Sequence, residues 1–208
     1  MKSLLLLILL FPVIGFTQVR NSNSIDGVND SIAGTSFLLK NQQVIFQKVY
    51  SSKLRQQELS DQLYTLLSAN DRFRFNNRIA QNDEQLIGKI FRYRVDATKY
   101  GGTFFKTPMI LDYPMNAVVI IHVKDFKYRV ILSELRFKDD RSLNKTTANT
   151  EAANKSIVYD DILMDDYFTQ KRRSKFSTSK SIVKAARYME LDFTDLFDIQ
   201  KSVLSNDF

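Results

Sequence analysis

The sequence predicts an α+β fold: a curved antiparallel β-sheet with helices packed on one face. Three observations lead there. Apolar residues keep a helical period in one stretch near the start of the core and in another at the C-terminal end. Between them the period drops to two, in several short β-rich runs separated by polar turns. No internal repeat and no long heptad run competes with that order.

The first strand is expected at Val44, Ile45, Phe46, Val49 and Tyr50. A helix follows, because Leu59, Leu63, Leu66 and Leu67 fall at i, i+4, i+7 and i+8 on one stripe. Asn70 and Asp71 suit its end. Over residues 72–79, Phe73, Phe75 and Ile79 alternate with Arg72, Arg74 and Arg78. That pattern is a half-buried strand with an arginine face. After a polar turn at 81–84, a second strand is expected over about 86–95. There Phe91, Tyr93 and Val95 alternate with Arg92 and Arg94.

The clearest hairpin spans 117–137. If Asp125-Phe126 is a two-residue loop, Val123 faces Tyr128, Ile121 faces Val130 and Val119 faces Leu132 on one apolar face. His122 then faces Arg129 on the other face, and Ile120 faces Ile131. Phe126 is an unusual turn residue, since a type I′ turn favours Gly there, so a longer loop is the alternative. Residues 139–155 are polar and read as an exposed insertion. Residues 104–115 and 157–168 carry no clear period. In the last helix Ile182, Ala186, Met189, Phe193, Leu196, Phe197, Val203 and Leu204 keep steps of three and four.

Domain organisation follows. Residues 1–17 pair Lys2 with an apolar run and the small-x-small ending Gly15-Phe16-Thr17, the pattern of a secretory signal peptide. Pro12 and Gly15 break a run already short for a membrane span. Residues 18–43 are rich in Asn, Ser, Asp and Gly and are expected to be a flexible segment; residues 44–208 are expected to form the domain. The chain has no cysteine, which excludes disulfides, thiolate metal sites and an acylated N-terminal cysteine. Its formal net charge of +7 favours acidic partners. With export, those are an anionic envelope component or another envelope protein rather than nucleic acid.

The segments 44–49 and 57–64, together with the hairpin Val123-Lys124-Asp125-Phe126-Lys127-Tyr128-Arg129, resemble the bacterial secreted family called domain of unknown function 4468. The Lys-Asp-x-x-Tyr-Arg hairpin is the best single mark, and the likeness covers roughly residues 44–138. The resemblance implies a TATA-binding-protein-like fold and export into the periplasm, or to the surface or exterior, of a Gram-negative bacterium. It implies no activity and no nucleic-acid binding, because fold does not fix function.

Chemistry-bearing motifs are sparse. His122 is the single histidine, and its place inside a strand suits a structural role. No nucleophile elbow, zinc-protease, P-loop or dinucleotide motif occurs, so no enzyme class, cofactor or metal is expected. The best candidate site is a set of strand residues sharing one face: Arg72, Arg74, Arg78, Arg92, Arg94, His122 and Arg129. Arginine forks suit carboxylate, phosphate or sulfate groups. The expected role is a non-catalytic binding or assembly module using that open, basic face. The alternative is a hydrolase on an acidic glycan, using Asp160, Asp161, Asp165 and Asp166. A third option is membrane contact through the basic residues at 171–175. Asp30-Ser31-Ile32 also matches a bacterial O-glycosylation acceptor.

Overall fold

The computed structural model describes residues 27–77, 85–138 and 161–200. The expected signal peptide, the 139–155 insertion and Arg78 lie outside the described residues.

The described residues form one antiparallel sheet, a small two-stranded ribbon and three α-helices. The strands are β1 (Val28–Ser31), β2 (Phe37–Lys40), β3 (Gln43–Ser51), β4 (Phe73–Asn77), β5 (Gln85–Tyr93), β6 (Met115–Lys124), β7 (Lys127–Phe137) and β8 (Ile162–Leu163). β9 (Thr169–Gln170) and β10 (Lys175–Phe176) make the ribbon. The helices are α1 (Gln56–Ser68), α2 (Met164–Phe168) and α3 (Lys180–Phe197). The sheet runs β1-β2-β3-β7-β6-β5-β4, and β8 pairs with β7 beside that path.

The sheet begins earlier than the sequence suggests. Residues 28–40, expected to be flexible, supply its first two strands, and Phe37 and Leu39 are fully buried. β2 is only four residues long, too short for its alternation to stand out beside polar neighbours. What fixes it is pairing with β3, which places Phe37 opposite Phe46 and Leu39 opposite Val44.

All helices cover one face. On β6 the odd residues from Met115 to Val123 are buried, and on β7 Tyr128, Val130 and Leu132 join them. The expected hairpin register holds at every pair, including His122 with Arg129 and Ile120 with Ile131. The tight two-residue turn also holds. Phe126 takes φ 64°, the left-handed conformation that Gly adopts without strain. Its backbone is tied down: its N–H donates to Leu54 C=O, and its C=O accepts from Ser52 N–H.

The core centres on Phe37, Phe46 and Phe193, whose ring centroids lie 5.2–6.4 Å apart. α3 brings Phe193 and Phe197 to the sheet, and α2 brings Met164 and Phe168. α1 docks through Leu59, Leu63 and Leu67. α3 closes at Phe197, with Asp198 extended; the expected continuation through Val203 and Leu204 lies outside the described residues.

Candidate functional site

The face opposite the helices is open, and its residues follow from the strand registers. Row by row across β5, β6 and β7 it carries Gln85–His122–Arg129, then Ile87–Ile120–Ile131, then Lys89–Val118–Ser133. β3 continues the first row with Val49 and the second with Gln47. β4 adds Arg74, directly opposite Lys89.

Arg74, His122 and Arg129 share this face. The other arginines do not join them simply. Arg72 precedes β4 and lies 3.6 Å from the carboxylate of Asp71. Arg94 lies past the end of β5, and its Nη1 donates to Asp112 C=O at 2.6 Å. Arg92 sits in a bulge: Ile90 pairs with Ala117, yet Tyr93 pairs with Met115, so β5 carries one extra residue. Arg92 takes φ 49°, and its N–H donates to Asn116 Oδ1 at 2.8 Å. The bulge also corrects the expected alternation. Phe91 is turned out to solvent at 49% exposure, while Tyr93 goes under the helices.

Three lysines that alternation alone did not single out also stand on the face, Lys89, Lys124 and Lys127, and the exposed Glu134 and Arg136 of β7 line the same groove as Lys89. Lys124 and Lys127 are directly opposite each other beside the hairpin turn. A groove of about 250 Å³ is lined by Val49, His122, Lys124, Lys127, Tyr128 and Arg129. Burial lowers the His122 pKa, and the positive charges of Arg129 and Lys124 lower it further. Both effects favour the neutral imidazole. No ion pair among the described residues involves Arg74, Lys89, Lys124, Lys127 or Arg129.

The motif around the turn divides its labour. Asp125 Oδ1 accepts from Gln56 N–H at 2.9 Å, at the first residue of α1. The residue preceding that helix, Arg55, provides no side-chain cap, so an acid from 69 residues away replaces it. Tyr128 stacks on Tyr50 at 4.9 Å, and its hydroxyl donates to Phe197 C=O at 2.6 Å. Asp125 and Tyr128 thus hold the hairpin to both long helices, while Lys124 and Arg129 face the groove.

The carboxylates proposed for hydrolysis are engaged in holding the fold. Asp161 pairs with Lys138 at 2.7 Å. Asp165 accepts the N–H of Val44 at 2.7 Å, and Asp166 pairs with Arg173 at 2.7 Å. Asp160 lies outside the described residues. Arg173, from the basic 171–175 segment, is occupied in the same contacts. In the glycosylation-like triplet, Asp30 Oδ2 accepts from Phe176 N–H at 2.7 Å, Ser31 is exposed and Ile32 is buried.

Buried Asp192 accepts from Tyr93 Oη at 2.7 Å, and burial raises its carboxyl pKa. These are bonds between α3 and the end of β5. Among the described residues no group of His, Cys, Asp and Glu could hold a metal ion, and no helix is long and apolar enough to cross a membrane.

No family model and no curated protein matches the chain. Two solved structures are similar to it. One is a TATA-binding-protein-like protein from Parabacteroides distasonis, 11% identical over 78% of this chain and 95% of that one, with a TM-score of 0.46. The other is a domain of unknown function 4468 family protein from Bacteroides ovatus, 12% identical over 80% and 92%, with the same TM-score. The second carries the name of the family that the hairpin motif resembles, and the chain is an α+β protein with a helix-covered antiparallel sheet.

Proposed function

We propose that this chain is an exported, non-catalytic binding or assembly module of the cell envelope, and that its open sheet face takes an anionic partner. One observation carries the reading: like charges stand directly opposite each other on that face. Arg74 faces Lys89, and Lys124 faces Lys127. Such pairs destabilise a sheet. A bound carboxylate, phosphate or sulfate would offset that cost, and the guanidinium forks of Arg74 and Arg129 suit those groups. Ile87, Ile120 and Ile131 lie between the two basic patches, so the face also offers apolar area.

The test is capture of partners from envelope extracts, with the native chain beside a variant carrying Arg74→Ser, Lys124→Ser and Arg129→Ser. These side chains project from the uncovered face and their removal relieves like-charge repulsion, so the variant is expected to melt no lower than the native protein. The expected result is a partner held by the native chain, released by added salt and absent from the variant. Equal capture by a folded variant would overturn the role of this face.

A further inference from the structure

A second surface, away from the open sheet face, combines apolar exposure with positive charge. Phe104, Phe105 and Met109 are the most exposed large apolar residues described, at 87%, 94% and 65%. Their exposure is built in by the backbone. Both Lys106 N–H and Thr107 N–H donate to Thr103 C=O, at 2.9 and 2.8 Å, which puts Phe104 and Phe105 at the crown of a closed turn. Turn crowns ordinarily carry Gly, Pro, Asn, Asp or Ser. Neither phenylalanine has a positive φ, so turn geometry gives no reason for an aromatic at either place.

The base of the loop is pinned. Gly102 N–H donates to Ala97 C=O at 2.8 Å, and a Cβ at Gly102 would fall 2.6 Å from that oxygen. Tyr100 Oη and Lys99 both reach Asp195 of α3 at 2.8 Å. The two rings touch each other edge to face, with centroids 5.4 Å apart.

The charge beside them is positive. Lys106 belongs to the loop, and Lys180 and Lys184 come from the first two turns of α3 to line the same depression of about 490 Å³. Arg187 continues the exposed side of α3. The one carboxylate lining the depression is that of Asp112. Aromatic tips standing above a group of lysines suit a fluid, negatively charged surface better than a shaped protein pocket. Membrane attachment that is stable but reversible needs two such signals together, apolar insertion and basic charge.

We propose that the loop at 101–109 docks the protein reversibly on an anionic lipid bilayer. Phe104 and Phe105 enter the boundary between headgroups and acyl chains, and Lys106, Lys180 and Lys184 hold lipid phosphates. This site is independent of the sheet face and differs from the 171–175 segment, where Arg173 is occupied by Asp165 and Asp166.

The experiment is co-sedimentation of the protein purified after export with two kinds of vesicle: phosphatidylglycerol and phosphatidylcholine in equal parts, or phosphatidylcholine alone. Three lysines at roughly fivefold each predict a preference for the anionic vesicles on the order of a hundredfold. The double variant Phe104→Ser, Phe105→Ser is expected to lose at least about tenfold in affinity with an unchanged melting temperature. Lys106→Gln and Lys184→Gln should each lose roughly fivefold. Equal binding to both vesicles, or an unaffected double variant, overturns the proposal. Because the chain has no cysteine, one introduced by Phe105→Cys can carry an environment-sensitive dye. Its emission should shift to the blue on anionic vesicles, while a dye at Val49→Cys on the sheet face should not shift. A shift only at Val49→Cys, or at neither position, also overturns it.

Discussion

The two faces of the sheet are made of alternate residues of the same strands, yet they follow opposite rules. On the covered face nearly every polar group has a partner. Lys48 reaches Glu190 of α3 at 2.7 Å, Tyr93 reaches Asp192, and Tyr128 reaches the end of α3. On the open face Arg74 faces Lys89 and Lys124 faces Lys127, with no acid paired to any of the four among the described residues. Charge is placed with care a single residue away from where it is left uncompensated. A sheet can be neat on one side and costly on the other when only the first side is asked to hold the fold.

The largest effect that would separate the faces is at the core. Phe193 packs against Phe37, Phe46 and Tyr93 and is fully buried. Phe193→Ala should lower stability by about 3–5 kcal/mol, since both transfer energy and packing are lost. The same truncation on the open face, Ile120→Ala, should cost far less, because that side chain already meets water. Denaturant midpoints for the two variants measure the contrast. Equal losses would mean that the open face is covered in solution, by a partner or by a second copy.

The hairpin turn belongs to both faces, and Asp125 sharpens the division. Its carboxylate caps α1 from across the fold. Asp125→Ala should cost about 1 kcal/mol, and Asp125→Asn, which keeps an acceptor, should recover part of it. Urea unfolding of both variants checks this. No loss in either would mean that water satisfies the start of α1 as well as the hairpin does.

Much of this was legible in the residues, and the rest was hidden for identifiable reasons. The hairpin register follows from a two-residue loop at Asp125-Phe126, which fixes every pair behind it; the apolar run from Val118 to Val123 supplies both faces, and His122 opposite Arg129 marks the one left open. β1 and β2 were hidden by their length, and their order comes from long-range pairing that no local period encodes. The bulge at Arg92 did leave a trace. Leu86 and Ile90 keep even parity, then Tyr93 and Val95 keep odd parity, and an extra residue is what such a change requires. Plain alternation across that change of parity places Phe91 inside and Arg92 beside Arg94, whereas the bulge turns Phe91 out. Lys124 and Lys127 flank the turn, where alternation carries no signal, although the hairpin register itself places them side by side.

The smallest effect is the one that reports on the open face most directly. His122 has its pKa held below the ordinary histidine value, first by burial and then by Arg129 and Lys124. The unfolded chain therefore takes up the proton more readily than the folded one. Stability from this group is complete above the unfolded pKa of about 6.5 and is lost as pH falls through the folded value. A melting temperature that declines on acidification through that window, with the decline reduced in His122→Gln, is the expected outcome. An anion in the groove would reverse the sense of the coupling. It would screen Arg129 and Lys124, raise the histidine pKa and bind more tightly as pH falls, by reciprocal linkage. Inorganic phosphate and sulfate are simple probes, and sulfate keeps its charge across the window. Tighter sulfate binding at lower pH, abolished by His122→Gln, would place the anion beside the imidazole. Binding that ignores this substitution would move the anion toward Arg74 and Lys89, at the other end of the same face.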